Sequence, residues 1–353
     1  MKALILAGGK GTRLRPITFS MAKQLVPVAN KPVLFYGLEA IADAGIREVG
    51  MIVGDTAAEI ERAVGDGSRW GVQVTYIPQP EPLGLAHAVL TAEPYLQNEP
   101  FLMYLGDNIV TSSIQPLVEA FQKRQPNALI LLAEVPNPQQ FGVAELEGER
   151  VVRLIEKPQQ PPSNLALVGV YLFDKHIFEA ARAIQPSWRG ELEITDAIQY
   201  LIDHNYTVEW QKITGWWKDT GSLDALLEAN RLVLEDLPPS HQGTLEETNL
   251  YGRVAIGAGS VLRRCTVRGP AIIGTNCHME DCYIGAFTAI GDGVRLISCE
   301  IEYSIVLEGS CVEAVETRIE GSLLGKHVVV RGGARRPRTL RLMLGDSSLV
   351  EMP

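Results

Sequence analysis

The chain of 353 residues has a formal net charge of −10 at pH 7, and 46% of its residues are hydrophobic against 21% charged. This is the composition of an ordinary soluble globular protein, and the length favours two domains. The negative charge argues against a nucleic acid or a membrane as partner, so a basic site should be local and directed at a small anion. No apolar run is long enough to span a membrane, and the first strand follows directly on Met1. We therefore expect a cytoplasmic protein whose five cysteines are reduced.

A glycine-rich loop near the N-terminus is the first segment with a chemical signature. The apolar residues Leu4–Ala7 predict a buried parallel strand, and the turn Gly8-Gly9-Lys10-Gly11-Thr12-Arg13-Leu14-Arg15 follows at once. Glycines let the backbone approach an anion, and the arginines can neutralise phosphate oxygens. The order matches neither a Walker loop, because Lys10 precedes Gly11, nor a dinucleotide fingerprint, because Leu14 replaces the last glycine. We interpret it as a polyphosphate-binding loop, against the alternative of an ordinary strand and turn.

Apolar runs alternate with helical patterns from this loop to the region of Leu237. The predicted strands are 49–53, 74–77, 101–105, 128–135, 151–155 and 167–173. The predicted helices are 33–44, 57–64, 85–93, 114–124 and 194–204. This alternation predicts an α/β fold with a Rossmann-like, doubly wound and mostly parallel sheet. Ligands of such sheets bind outside the carboxyl ends of the strands, where the glycine-rich loop should lie.

The loop and the segment Ser20–Pro27 together resemble the signature of the sugar-1-phosphate nucleotidylyltransferases. The resemblance implies that the loop binds a nucleotide through Gly8, Gly9, Gly11, Thr12 and Arg13. It also implies that Lys23 contacts the phosphates and that Gln24 belongs to the Lys-Gln pair of the glucose-1-phosphate thymidylyltransferases. Outside this pattern, Lys23 would be interpreted as a solvated surface lysine.

A base-binding segment is predicted at residues 79–88, after a strand and at the start of a helix. The amide of Gln79 offers a donor and an acceptor, which suits the imide edge of thymine or uracil. The family resemblance assigns Gln79 and Gly84 to the base. His87 is interpreted as a helix residue without a chemical role.

Two aspartates are candidates for a Mg²⁺ site. Asp107 ends an apolar strand in the motif Leu-Gly-Asp-Asn, and Asp219 lies in Asp-Thr-Gly. Mg²⁺ prefers one or two carboxylates together with phosphate oxygens and waters. Both motifs resemble the metal-binding elements of the family, and Asp107 is also expected to contact the nucleotide. From spacing alone, Asp107 could equally be a turn or cap residue.

Candidates for the sugar phosphate lie mostly between the two aspartates. Glu156-Lys157-Pro158 resembles the family's Glu-Lys-Pro motif, in which the carboxylate accepts from sugar hydroxyls and Lys157 holds the phosphate. Without that motif they would be a surface pair. The resemblance adds a further group of contacts to the sugar phosphate: Asn108, Gly142, Leu167, Gly169 and Glu193. Arg13, Lys23 and Lys157 are the predicted catalytic residues.

The last third of the chain repeats with a period of 17 residues. One row of equivalent positions contains Ile256, Ile273, Ile290, Leu307 and Leu324. A second row contains Ser260, Cys277, Val294, Cys311 and Val328, and a third contains Cys265, Cys282 and Cys299. Such a period predicts stacked coils, and its five- and six-residue steps fit a left-handed parallel β-helix of hexapeptide repeats.

The five cysteines all fall in these rows of small residues. We interpret them as small hydrophobic core residues rather than as ligands of a metal. The predicted organisation is a catalytic domain at 1–236, a linker at 237–250, the β-helix at 251–330 and a tail at 331–353. Arg335, Arg336, Arg338 and Arg341 make the tail basic, which suggests a surface arm or a subunit contact.

The family resemblance, specific in the first domain and generic in the second, implies the long form of glucose-1-phosphate thymidylyltransferase. The implied substrates are dTTP and glucose 1-phosphate, and the implied cofactor is Mg²⁺. A homo-oligomer is expected, with a tetramer as the first hypothesis. A relative that uses UTP or another nucleotide is the first alternative. The second is additional acetyl transfer in the β-helix, for which His278 and His327 are available. The third is a non-catalytic subunit, against which the presence of Arg13, Lys23 and both aspartates argues.

Overall fold

The computed structural model describes residues 1–332 of the chain, which divide into two compact units. The first unit comprises Met1–Lys10, Met21–Leu25 and Val33–Asp219. The second comprises Gly11–Ser20, Val26–Pro32 and the chain from Thr220. The arginines of the predicted tail lie outside the described residues. Within residues 1–332, no helix is long and apolar enough to cross a membrane.

The strands up to Asp219 follow the apolar runs of the sequence. They are β1 (Lys2–Leu6), β2 (Pro27–Val28), β3 (Lys31–Pro32), β4 (Glu48–Val53), β5 (Gln73–Pro78), β6 (Phe101–Leu105), β7 (Asn108–Val110), β8 (Ala128–Glu134), β9 (Gly142–Glu147), β10 (Arg150–Glu156), β11 (Leu165–Phe173), β12 (Val208–Lys212) and β13 (Trp217–Asp219). The helices are α1 (Val33–Asp43), α2 (Ala57–Val64), α3 (Leu85–Thr91), α4 (Glu93–Leu96), α5 (Gln115–Arg124), α6 (His176–Ala183), α7 (Ile194–Asp203) and α8 (Leu223–Glu235).

The large sheet of the first unit has the order β10-β9-β11-β6-β1-β4-β5, and β8 joins β11 to β12. Its strands are parallel around β1, which pairs with β4 and β6. They are antiparallel around β11, which pairs with β6, β8 and β9. The sheet is therefore mixed, and its parallel part carries the glycine-rich loop at the end of β1.

Helices cover both faces of this sheet, as alternate residues of β1 show. Ala3 and Ile5 belong to a buried cluster that includes residues of α1, α2 and α5. Leu4 and Leu6 point to the opposite cluster, which includes residues of α3, α6 and α7. Side chains alternate between the two faces of a strand, so an uninterrupted apolar run is what burial on both faces requires.

The second unit contains the repeat, which forms parallel strands stacked coil on coil. These strands are β14 (Ser240–His241), β15 (Thr244–Glu246), β16 (Asn249–Tyr251), β17 (Val254–Ile256), β18 (Val261–Arg263), β19 (Thr266–Arg268), β20 (Ala271–Ile273), β21 (His278–Glu280), β22 (Tyr283–Ile284), β23 (Thr288–Ile290), β24 (Arg295–Glu302), β25 (Ile305–Val306), β26 (Cys311–Glu320), β27 (Leu323–Leu324) and β28 (Val329–Arg331). Their parallel ladders are consistent with the left-handed hexapeptide type. An α/β domain followed by a β-helix confirms the predicted fold class.

The coils extend beyond the boundaries predicted for them. Strands β14 to β16 already pair in register with the next coil, although they begin inside the segment predicted as a linker. At the other end, Arg331 is the last residue of β28 and lies 3.2 Å from Glu313, so it belongs to the β-helix and not to the tail.

The 17-residue period holds up to Ile301 and breaks before Ile305, and this corrects two predicted row positions. Ile290 pairs with Val306 instead of Leu307, because this coil is one residue short. The slip therefore moves the row positions of this coil one residue earlier in the sequence. Ser310 consequently takes the buried place and donates to the Gly325 carbonyl (2.6 Å), while Cys311 pairs with Arg295 on the outer face.

Four of the five cysteines occupy the interior as predicted. Cys265, Cys277, Cys282 and Cys299 are buried, whereas Cys311 is half-buried. Cys282 and Cys299 lie in consecutive coils with their sulfurs 3.8 Å apart. Among residues 1–332 no group of three or more His, Cys, Asp or Glu side chains is arranged to hold a metal.

Candidate functional site

Three loops of the first unit meet at the carboxyl edge of the parallel strands. Gly8 follows β1, Gln79 follows β5 and Asp107 follows β6. Hydrogen bonds that continue the ladders hold the loops: the Gly106 amide donates to the Leu6 carbonyl (3.0 Å), and the Gln79 amide donates to the Val53 carbonyl (2.8 Å). The sheet topology thus brings together residues that lie far apart in the sequence.

An ion pair between Lys23 and Asp107 occupies the centre of this edge. Both side chains are largely buried, and the Asn108 amide donates to the other carboxylate oxygen of Asp107 (2.9 Å). Burial alone would raise the pKa of Asp107, but the Lys23 ammonium and the Asn108 amide outweigh it and hold that pKa below its usual value. Asp107 is therefore a carboxylate at neutral pH, and the Lys23 ammonium lies beside Gly9 of the glycine-rich loop.

Gln24, next to Lys23, is almost completely buried. Its Oε1 has no hydrogen-bond partner among residues 1–332. Buried acceptors without a partner are rare in folded proteins, because their desolvation is not compensated. The other atom of the same amide, Nε2, lies 3.8 Å from the position of a Cβ at Gly9, so the Gln24 side chain borders the glycine-rich loop.

Asp219, the last residue of the first unit along the chain, lies near the same edge of the sheet. Strand β13 pairs antiparallel with β7, and Asp219 lies opposite Asn108, the neighbour of Asp107. The Trp217 indole donates to the Asn108 amide oxygen and fixes this pairing. Asp219 therefore lies on the strand next to β7, and Asp107 directly precedes β7. Two carboxylates with phosphate oxygens and water are a donor set that fits Mg²⁺.

A second group of polar residues lies at the ends of β9 and β10. Gly142 is opposite Glu156 in this hairpin. The Thr195 hydroxyl donates to Glu156 (2.7 Å), and Lys157 Nζ lies 3.8 Å from the same carboxylate. Burial, together with the negative charge of Glu193, raises the pKa of Glu156 above its usual value. A cavity of about 570 Å³ borders Glu156.

Arg189 connects the two predicted sugar acids, and the sequence analysis missed it. Its guanidinium lies 3.2 Å from the carboxylate of Glu193 and 3.6 Å from that of Glu156. Glu193 is 3% exposed and also accepts a hydrogen bond from Ser187 (2.8 Å). A cation between two buried acids reduces their mutual repulsion. The signal was available, because Arg189 lies four residues before the predicted sugar contact Glu193.

The remaining predicted sugar contacts lie between these two groups. Gly169 in β11 is packed against Asn108: a Cβ at Gly169 would lie 2.6 Å from the Asn108 amide oxygen. Leu167, also in β11, packs on Gly142. The structure therefore brings Asn108, Gly169, Leu167 and Gly142 into one continuous region, with the aspartates at one end and Glu156 at the other.

The base-binding candidates adjoin this region through Leu192. Gly84 has φ = 109°, and a Cβ there would collide with the Leu192 backbone. This close approach lets the Ala86 amide donate to the Leu192 carbonyl (3.0 Å). Gln79 Nε2 lies 2.8 Å from His87 Nδ1, so His87 has a contact with a candidate site residue that the sequence did not predict.

Arg13 and its neighbours belong to the second unit. Thr12–Leu14 is a turn of 3₁₀-helix, which Gly11 enters with φ = 62°. The Thr18 hydroxyl donates to the Gly11 carbonyl (2.7 Å) and closes the loop. The role of Gly11, Thr12 and Arg13 continues to rest on the sequence motif.

Comparison with known proteins identifies the class. Residues 2–236 match the family model described as nucleotidyl transferase, and the chain belongs to this family of enzymes. It is 56% identical to a protein named glucose-1-phosphate thymidylyltransferase from Streptomyces antibioticus, over 100% of this chain and 99% of that one. A protein of the same name from Streptomyces griseus is 53% identical over 100% and 99% of the two chains. A crystal structure of a Bacillus anthracis protein assigned as a glucose-1-phosphate thymidylyltransferase is similar with a TM-score of 0.64 and 34% identity, covering 68% of this chain and 98% of that one.

Proposed function

We propose that this nucleotidyltransferase converts dTTP and α-D-glucose 1-phosphate into dTDP-glucose and diphosphate. The observation that carries the proposal is the arrangement around Asp107: Lys23 pairs with it beside Gly9, and Asp219 lies on the adjacent strand. A cation at a glycine-rich loop and two carboxylates are what a nucleoside triphosphate with a divalent metal requires.

The two groups of residues in this region correspond to the two substrates of the proposed reaction. We assign Gln79 and Gly84 to the nucleotide, and Glu156, Lys157 and Glu193 to the sugar phosphate. In the reaction a phosphate oxygen of glucose 1-phosphate attacks the α-phosphorus of dTTP. A new P–O bond forms there as the bond to diphosphate breaks, so no covalent intermediate on the protein is needed.

The protein's contribution is positioning and charge neutralisation. Lys23 would hold the triphosphate, and Lys157 would orient the attacking phosphate beside Glu156. Arg13 would stabilise charge on the departing diphosphate, as its motif implies. Asp107 and Asp219 would hold Mg²⁺, which supplies charge neutralisation at the nucleotide phosphates when bound.

The identity of the base rests on Gln24 and Gln79. Both side chains can hydrogen-bond to a pyrimidine nucleotide, but neither distinguishes dTTP from UTP by itself. The test is diphosphate release by the purified protein with glucose 1-phosphate and dTTP, UTP, ATP or GTP. We expect kcat/KM to be highest with dTTP. Equal rates with all four nucleotides would contradict the thymidylyl assignment, and no release with any would reject the proposed function.

We further expect a cytoplasmic homo-oligomer, with a tetramer as the first hypothesis. Light scattering on the purified protein measures the number of subunits directly. Acetyl transfer by the β-helix remains an alternative activity. Thiol release from acetyl-CoA in the presence of an amino-sugar phosphate would reveal it.

A further inference from the structure

In the contact between Gln79 and His87, the donor and the acceptor can be assigned. His87 is in α3, and its Nδ1 lies 2.8 Å from the Gln79 amide nitrogen. An amide nitrogen can only donate, so the imidazole nitrogen must be the acceptor. In this arrangement Nδ1 presents its lone pair to Gln79.

This bond determines which amide atom of Gln79 remains available. With Nε2 turned to His87, Oε1 points in a different direction and lies beside Gly8. A Cβ at Gly8 would be 3.5 Å from that oxygen. The side of Gln79 that faces the glycine-rich loop therefore presents an acceptor.

We propose that His87 is a positioning residue that orients the Gln79 amide and thereby selects nucleotides whose base carries a donor at N3. This inference rests on the proposed function, in which Gln79 contacts the base. Thymine and uracil have an N3–H donor, which the Gln79 oxygen can accept. Cytosine has an unprotonated N3, which would face that oxygen as a second acceptor. Binding cytosine would require the amide to rotate, and the His87 imidazole would have to move its proton to Nδ1 in order to donate to the rotated oxygen.

The experiment uses the full chain with glucose 1-phosphate and Mg²⁺, and compares dTTP with dCTP. His87→Phe keeps an aromatic ring but removes the acceptor. We expect its KM for dTTP to rise about three- to tenfold, the effect of one hydrogen bond, while kcat and the KM for glucose 1-phosphate stay unchanged. The ratio of kcat/KM for dTTP over dCTP should fall by a similar factor.

Further variants separate positioning from a structural effect. In His87→Asn the side-chain oxygen can replace Nδ1 as acceptor, and we expect it to restore most of the dTTP preference. His87→Ala, which cannot overpack the helix, should repeat the His87→Phe result. Thr91→Val is the control on the same helix, and this variant should behave as wild type. The Thr91 hydroxyl donates to the His87 backbone carbonyl (2.9 Å) and not to the imidazole.

The outcomes are distinguishable. In a Gln79→Ala background, His87→Phe should cause no further loss, because there is no amide left to orient. An unchanged dTTP-to-dCTP ratio in both His87→Phe and His87→Ala, or fully additive losses with Gln79→Ala, would overturn the inference. A wild-type protein that forms no nucleotide sugar would instead refute the proposed function.

Discussion

The carboxylate of Asp107 offers the most direct test of the candidate site. Asp107→Asn preserves the shape of the side chain and an oxygen that can accept from Asn108, but it removes the negative charge next to Lys23. The change therefore isolates electrostatics from packing. We expect the fold to be retained and the turnover to fall steeply.

The magnitude follows from the distances at the site. Two unit charges about 4 Å apart interact by about 4 kcal/mol at an effective dielectric constant of about 20. Asp107 is largely buried, so solvent does not screen the interaction fully. A loss approaching this size in the transition state corresponds to about a hundred- to thousandfold in kcat.

The assay is diphosphate release with dTTP and glucose 1-phosphate over a range of Mg²⁺ concentrations. Asp174→Asn is the matched control: this aspartate is in the same unit, accepts from the Asn127 amide (2.8 Å) and from His176, and follows β11. Because β11 runs antiparallel to β6, Asp174 lies at the opposite edge of the sheet from Asp107. An Asp107→Asn enzyme with the turnover of wild type would refute the assigned role.

Three further predictions concern other parts of the structure. Glu156→Gln should lose activity yet become more stable than wild type at pH 7. Because the folded pKa of Glu156 is raised, wild type gains stability relative to this variant as the pH falls through that pKa towards 4.5. A Tm difference between the two proteins that does not change with pH would contradict the burial argument. Native protein should react with a thiol reagent first at Cys311, and equal rates at all five cysteines under native conditions would contradict the register slip in the β-helix. Gly84→Ala should lower the free energy of unfolding by about 1–3 kcal/mol, because Gly84 has a positive φ and lies against the Leu192 backbone. Urea denaturation measures this change. Gly45→Ala is the control, because Gly45 also has a positive φ but a Cβ there would have no neighbour within 4 Å.

Local patterns were sufficient for most elements of the first unit. The predicted strand 101–105 and helix 57–64 have the same bounds in the structure, because the first is an uninterrupted apolar run and the second buries Ile60 and Val64 at helical spacing. Helix α6 and strand β12 were not predicted, although α6 packs on the sheet and β12 is one of its strands. Their sequences mix polar and apolar residues, and the neighbouring elements decide their conformation.

The repeat shows where periodicity stops being informative. Up to Ile301 the 17-residue rows coincide with the paired strands. Beyond it, one residue fewer in a turn moves Cys311 outward and Ser310 inward. The row can be continued in the sequence through such a slip, because positions 310 and 311 both carry small residues. Only the pairing of the strands reveals the slip.

The sequence by itself determined the family, the order of the two kinds of fold and the residue types of the site. These are properties of short segments: a glycine-rich turn after one apolar strand, a carboxylate after another apolar strand, and a repeat of fixed period. Only the tertiary structure decided that Lys23 pairs with Asp107, that Arg189 lies between Glu156 and Glu193, and that His87 contacts Gln79. Such contacts depend on which loops the strand order brings to one edge of the sheet, and a linear pattern contains no distances between them.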